Sequence, residues 1–294
     1  MRWAIVVLCI SSVSAVKRIT GSGPSVAESA SFTAFLMDED SRWCTGGVID
    51  PYWILTSAYC ALRKKLLIVL GARNMSNLLL EIGSNESFMR TPEYVVVHPK
   101  YSPKFDQYDI ALVKLYHKIE DKRVQPVPLG SSWPSASNEM TVCQVAGYGG
   151  DPTQSMDPGI LRSAYVYAMH GPYACRCLSK HASRRSICLN DSRVQPCSSD
   201  WGHLLVCNGS AYGVVHTSAW LHTCDLTQFT AKRKIKVACG HPDVTTVYTF
   251  ICPVLGWIRS HVGSAPEQPA SCTATTIYPF FYFIASLLTV WNAD

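Results

Sequence analysis

Charge is scarce in this sequence. Of 294 residues only 16% are Asp, Glu, Lys or Arg, and 26 basic against 21 acidic side chains leave a net of +5. Nucleic-acid binding ordinarily rests on a strongly basic face, so no nucleic acid is expected as a partner. Metal-ligand spacing is lacking too. His203, His216, His222 and His241 fall in no such pattern and read as loop residues, and Cys175-x-Cys177 with His181 lies in a chain whose thiols are expected to oxidise. No metal and no cofactor is expected. Internal repeats and low-complexity tracts are absent, and no long linker precedes Gly263. Nor does any apolar run reach the roughly 20 residues of a membrane-spanning helix. Ile277 to Trp291 comes nearest, but it contains Pro279 and has no Lys or Arg behind it.

Cysteine, by contrast, is abundant. Thirteen cysteines in a chain that is 48% hydrophobic point to an oxidising compartment, with apolar content for one large core or two modest ones. The N-terminus agrees. Arg2, the apolar stretch Ala4 to Ile10 and the small-residue site Val13-Ser14-Ala15 together make a secretory leader of residues 1–15, whose removal discards Cys9. Asn74, Asn85, Asn190 and Asn208 each open an Asn-x-Ser tripeptide suited to N-glycosylation. Residues 263–276, small, polar and Pro-containing, read as a linker, and residues 277–294 as a hydrophobic tail. Gly263-Ser264-Ala265, the polar spacer and that tail fit a GPI-anchor signal, although Asn292-Ala293-Asp294 is an imperfect finish for one. A single span and a tail without membrane role are the alternatives. The expected location is extracellular, secreted or anchored at the cell surface.

Between these ends the pattern is all-β. Short apolar or alternating runs bounded by Gly, Pro, Asn and Asp recur at Gly47 to Ser57, Leu66 to Leu70, Glu93 to Val97, Ile110 to Leu115, Thr141 to Ala146, Ile160 to Ala168, Leu204 to Cys207, Tyr212 to His216 and Thr245 to Ile251. One helix is predicted over residues 253–262, with Pro253 near its first turn and Leu255, Ile258 and Val262 on one side. Many short strands at this spacing suggest barrels or sandwiches; in the barrel arrangement Pro126-Val127-Pro128, midway along, marks the crossing between about residues 19–125 and 126–252.

Several blocks also stand in a telling order. Cys44-Thr45-Gly46-Gly47-Val48-Ile49 precedes Trp53-Ile54-Leu55-Thr56-Ser57-Ala58-Tyr59-Cys60, and His98-Pro99-Lys100-Tyr101 precedes Asp109-Ile110-Ala111-Leu112-Val113-Lys114-Leu115. Cys143 with Gly147-Tyr148-Gly149, then Cys197 to Cys207, then Val247-Tyr248-Thr249 before Trp257-Ile258 complete the set. On these blocks residues 19–262 resemble the chymotrypsin/trypsin-like serine proteases, which implies two six-stranded antiparallel β-barrels and a C-terminal helix. The same resemblance exposes two replacements. Where that family has Ala-Ala-His-Cys this chain has Ser57-Ala58-Tyr59-Cys60, and where it has Gly-Asp-Ser-Gly-Gly-Pro this chain has Ser199-Asp200-Trp201-Gly202-His203-Leu204. Tyr59 thus stands for the general base and Trp201 for the nucleophile. A phenol of pKa near 10 cannot serve as imidazole does at neutral pH, and an indole offers only an N–H. Asp109 is kept as the orienting acid, with nothing left to orient.

What the resemblance implies elsewhere is mixed. Gln195 takes the position that reads the substrate side chain, and His216-Thr217-Ser218 replaces the Ser-Trp-Gly that pairs with substrate backbone. Lys17-Arg18 before Ile19-Thr20-Gly21 is similar to the family's activation point, with residues 16–18 as a short pro-segment and Asp200 as the acid that would receive the freed amine of Ile19. The family's disulfides imply Cys44–Cys60, Cys143–Cys207, Cys197–Cys239, and Cys188 with either Cys175 or Cys177; the other pairings stay open. Residues 219–237 are extra length carrying Lys232, Arg233, Lys234 and Lys236, a cluster suited to polyanions or acidic proteins. The expected function is that of a non-catalytic protease homologue binding other extracellular proteins, active proteases among them. An endopeptidase with an atypical site and a polyanion-binding or adhesion module are the alternatives.

Overall fold

In this computed structural model the described residues are 23–24, 30–75, 89–103, 107–149, 159–190, 196, 200–222, 224 and 243–272. They form two closed antiparallel sheets. The first is ordered β6 (Met89–Arg90), β5 (Leu67–Leu70), β2 (Thr33–Met37), β3 (Trp43–Asp50), β4 (Trp53–Thr56), β8 (Ala111–Leu115) and β7 (Pro92–Val97). Only Thr91 separates β6 from β7, so the two ends of this order are one bent strand and the sheet closes as six. The second is ordered β1 (Gly23–Pro24), β10 (Arg162–His170), β11 (Ser186–Leu189), β14 (Val244–Phe250), β13 (Ser210–Trp220), β12 (Leu204–Cys207) and β9 (Met140–Gly147). Pairing of β9 with β10 closes it, with β1 as an edge addition. The all-β class and the double barrel are therefore as the sequence implies.

Strand boundaries follow local chemistry. The run Gly47 to Ser57 is two strands, because Asp50-Pro51-Tyr52 turns the chain and the Asp50 carboxylate accepts from Tyr52 N at 2.9 Å. β12 and β13 are joined by Asn208-Gly209 with φ of 50° and 77°, the two left-handed residues of a tight hairpin turn. Where the barrels meet, Trp53, Leu55 and Leu112 of the first pack in one buried cluster with Leu204, Val214 and Ile251 of the second. Pro126-Val127-Pro128 crosses there, and Val127 N donates to Val48 O at 2.9 Å.

The predicted C-terminal helix begins as a 3-10 turn at Cys252–Val254 and continues as α3 (Leu255–His261), which buries Leu255 and Ile258 in the same cluster. The shorter α1 (Ala58–Ala61) and α2 (Lys180–Ser183) are each capped by a preceding serine, Ser57 and Ser179. Residues 263–272, read from composition as linker, return along α3: Gly256 N donates to Gln268 Oε1 at 2.8 Å, and Arg259 bonds Ala265 O. A Cys252–Cys272 disulfide fixes that return.

Cys44–Cys60, Cys143–Cys207 and Cys175–Cys188 form as the family pattern implies, and Cys177–Cys224 is added. Each closes a loop and contributes ~2–4 kcal/mol. Cys175 and Cys177 are thus both committed to sulfur, leaving neither as a metal thiolate. The pair Cys197–Cys239, the leader, Arg18, Ile19, Asn85, Gln195, the cluster Lys232 to Lys236 and the tail from residue 273 lie outside the described residues. No helix among the described residues is long and apolar enough to cross a membrane.

Candidate functional site

Both replaced positions sit where the barrels face each other. Thr56 ends β4, and Ser57 starts α1 by accepting Cys60 N on its hydroxyl at 3.2 Å, a turn within which Tyr59 faces Asp109. Tyr59 N donates to Asp109 Oδ1 at 2.8 Å. Its ring, half-buried against the main core, carries the Arg63 guanidinium 4.9 Å over its face. Tyr59 thus ties to Asp109 through its backbone, and its side chain is a phenol beneath a guanidinium.

Trp201 is buried, at 6% exposure, in the core cluster that also holds the Cys44–Cys60 bridge and Leu205, with Tyr59 packed at its edge. Its carbonyl accepts Thr45 N at 2.8 Å, tying the two barrels together. The following turn needs Gly202: φ is +86°, and a Cβ there would come within 2.3 Å of Thr45 O. The loop is thus held tightly against Thr45 and Thr56, with an indole packed into the interior at position 201.

Asp109 corrects an expectation. It is not idle, because the imidazole of His216 faces it, with Nδ1 at 3.2 Å from Oδ2 and both side chains over nine-tenths buried. His216 is also no loop residue. It sits inside β13 at a bulge, where the pairing steps from Val215↔Tyr248 to Thr217↔Val247 and the extra residue is re-aimed. Both carboxylate oxygens of Asp109 are thereby engaged, one by Tyr59 N and one by His216. Tyr108 precedes it at φ +52°, its ring stacked on His98 at 4.7 Å and under the Arg185 guanidinium at 5.3 Å. A pocket of about 150 Å³ beside the pair is lined by Gln107, Tyr108, Arg185, His216, Thr217 and Thr249, among others. No spacing rule links residues 109 and 216; only strand pairing and the bulge bring them together.

His203 is a loop residue, as read from the sequence, but a buried one. It is 2% exposed, its Nδ1 lies 2.7 Å from Asp200 O and its Nε2 2.9 Å from the Tyr248 hydroxyl. A carbonyl can only accept, so Nδ1 carries the proton and Nε2 accepts from the phenol. Burial pushes this imidazole down to about 4, against a small opposing pull from the Asp200 carbonyl. The same desolvation, aided by the Asp200 charge, raises Tyr248 well above 10. Asp200 is fully buried; its Oδ1 accepts Gly149 N at 3.0 Å and lies where a side chain on Gly147 would be, 2.4 Å from such a Cβ.

Among the sequons, Asn74 is half-buried beside an isolated bridge to Ile160, while Asn190 and Asn208 are exposed. Of the expected site residues, then, Tyr59, Asp109 and Trp201 converge and Asp200 stands behind them; His216 and His203, set by the resemblance in the substrate-pairing segment and the replaced nucleophile motif, join them through contacts with Asp109 and with Asp200 and Tyr248 that the sequence did not announce.

With this geometry in hand, comparison with known proteins gives a consistent result. The protein-family model described as Trypsin matches residues 19–258. A snake venom serine protease, serpentokallikrein-1 of Protobothrops mucrosquamatus, is 28% identical over 224 residues, covering 74% of this chain and 76% of that protein. Kallikrein-5 of Homo sapiens is 27% identical over 233 residues, covering 78% and 71%. Trypsin II-P29 of Gallus gallus is 25% identical, covering 76% and 81%. In fold, the chain is similar to the solved structure of neuropsin, a serine protease expressed in the limbic system of mouse brain, with a TM-score of 0.64 over 82% of this chain and 99% of that one, at 23% identity.

Proposed function

Since this chain belongs to the trypsin family of serine proteases, we propose that it acts outside the cell as a non-catalytic member, binding other proteins as cofactor or decoy. Active proteases of its own family and their substrates are the partners that this reading favours. Secretion or attachment at the cell surface suits the five disulfides among the described residues.

One observation carries the reading: Trp201, which the resemblance sets at the nucleophile position, is a buried indole, and Tyr59, set at the base position, is a phenol packed against the same core cluster. Acyl transfer by this fold needs a hydroxyl deprotonated by imidazole and backbone donors for the oxyanion. Loss of nucleophile or base in such a unit costs on the order of 10⁶ in turnover. Here both are replaced, and Asp109, which would steady a base, holds His216. The test pairs two assays on protein cleaved after Arg18. Hydrolysis of arginyl and tyrosyl peptide amides is expected to stay at the buffer blank, while an active trypsin-like protease is retained on the immobilised protein in physiological salt. Turnover above the blank, abolished by a serine-protease inhibitor, overturns the reading.

The Asp109–His216 pair favours a second reading, an endopeptidase with an atypical site, because it is an imidazole held by a buried carboxylate. Such an enzyme loses its turnover on His216→Ala. A binding protein has none to lose.

A further inference from the structure

The outer face of the second barrel carries an apolar patch that a soluble protein does not ordinarily leave bare. Met140 and Val142 on β9 are 57% and 51% exposed, and Tyr165 and Tyr167 on β10 are 70% and 44% exposed. Their chain neighbours Cys143, Val166 and Ala168 point inward and are buried, so strict alternation places the four exposed residues on one face. Val142 stands opposite Tyr167, and Gln144 opposite Tyr165. None of these side chains carries a charge at neutral pH.

Two sequon asparagines bracket this patch in register. β12 pairs Cys207 with Cys143, which puts the next residue, Asn208, beside Val142. On the far side β11 pairs Leu189 with Ala168, and Asn190 N donates to Tyr167 O at 2.8 Å. The order across the sheet is therefore Asn208, Val142, Tyr167, Asn190, a row of about 14 Å at the usual strand spacing. Asn190 Nδ2, the atom that glycosylation modifies, lies 3.2 Å from Met140 Sδ. Asn208 shares a surface recess with Val142, Tyr165, Pro126 and Pro128, at the tip of its hairpin turn.

We propose that Asn190 and Asn208 carry N-linked glycans whose first sugar rings lie on Tyr167, Tyr165 and Val142, making the outer face of the second barrel a carbohydrate-covered surface. In each transfer a bond forms between Asn Nδ2 and the anomeric carbon of an oligosaccharide donated from a lipid pyrophosphate. The anomeric carbon–oxygen bond breaks, the pyrophosphate leaves with the electron pair, and the amide gives up one proton. An uncharged face of two phenols and an amide suits neutral pyranose rings, whose C–H faces stack on aromatic rings while their hydroxyls meet Tyr O–H and Gln144. The tether then fixes the occupant, since each attachment point already borders the patch.

The experiment secretes the full chain from animal cells, maps its glycopeptides, and measures enzymatic release of each glycan from the folded protein. Both asparagines are expected to be occupied, and release from Asn190 is expected to speed up about fivefold in Tyr167→Ser, the loss of one aromatic contact. Enzymatic removal of the glycans from folded wild-type protein is expected to raise binding of a hydrophobic dye, and Tyr165→Ser with Tyr167→Ser to abolish that rise. Unmodified Asn190 and Asn208, or release rates indifferent to Tyr167→Ser, overturn the proposal. So does a protein partner co-purifying on this face in place of sugar.

Discussion

Replacing Trp201 by serine is expected to cost about 4 kcal/mol of stability and to bring no peptidase activity with it. The indole is 6% exposed and belongs to the cluster that holds the Cys44–Cys60 bridge and Leu205, so its removal leaves a cavity in the core. Burying and then deleting an aromatic side chain of this size costs about 3–5 kcal/mol. For a domain of this length that lowers the melting temperature by about 10 °C. Calorimetry on Trp201→Ser and Trp201→Phe separates the causes, because phenylalanine refills much of the volume and is expected to recover most of the loss. The double variant Tyr59→His with Trp201→Ser is likewise expected to hydrolyse no trypsin or chymotrypsin peptide. An imidazole at position 59 would meet an Asp109 whose Oδ2 is already engaged by His216. The substituted residues Gln195, Ser199 and His203 would remain as well.

Stability is expected to fall steeply as pH drops from about 6.5 to about 4, with His203 contributing about 3 kcal/mol of the loss. The sign follows from its burial. In the folded protein the His203 imidazole stays neutral down to about 4, whereas in the unfolded chain it takes a proton near its ordinary 6.5. Between those values the unfolded state binds more protons, so acid favours unfolding; above about 6.5 the contribution is fully present. His98 works in the same direction, lowered to about 4 by desolvation and then by the charge of Lys100. Urea midpoints at pH 7.5 and 4.5 measure the slope. His203→Gln is expected to flatten it, since the carboxylates common to both proteins cancel in the difference. An unchanged slope would mean that His203 is not the buried neutral group its contacts with Asp200 and Tyr248 describe.

How far the sequence led depended on whether the signal was local. β12 runs over Leu204–Cys207 as its apolar stretch implies, and β5, β7 and β8 begin and end within a residue or so of their patterns. β2, Thr33–Met37, went unread because four of its five residues are buried and no alternation marks it. The family motifs placed Tyr59, Asp109 and Trp201 together, since those blocks are built into the strand ends that face each other. The contact of His216 with Asp109 escaped because the bulge that aims the imidazole belongs to the pairing of β13 with β14, and nothing within ten residues of it encodes the approach. The burial of His203 escaped for a related reason, as one of its partners is a phenol 45 positions away. Cys177–Cys224 and Cys252–Cys272 were open in the sequence because pairing is decided only once the strands have brought those thiols together.

On the function proposed above, this trypsin-family domain has the fold of a protease without performing acyl transfer. The most direct measurement exposes the full-length protein, cleaved after Arg18, to excess fluorophosphonate and reads its intact mass. No covalent adduct is expected on any residue, with active trypsin labelled to completion in the same tube. A stoichiometric adduct on a serine or threonine beside His216, lost in His216→Ala, would contradict that function.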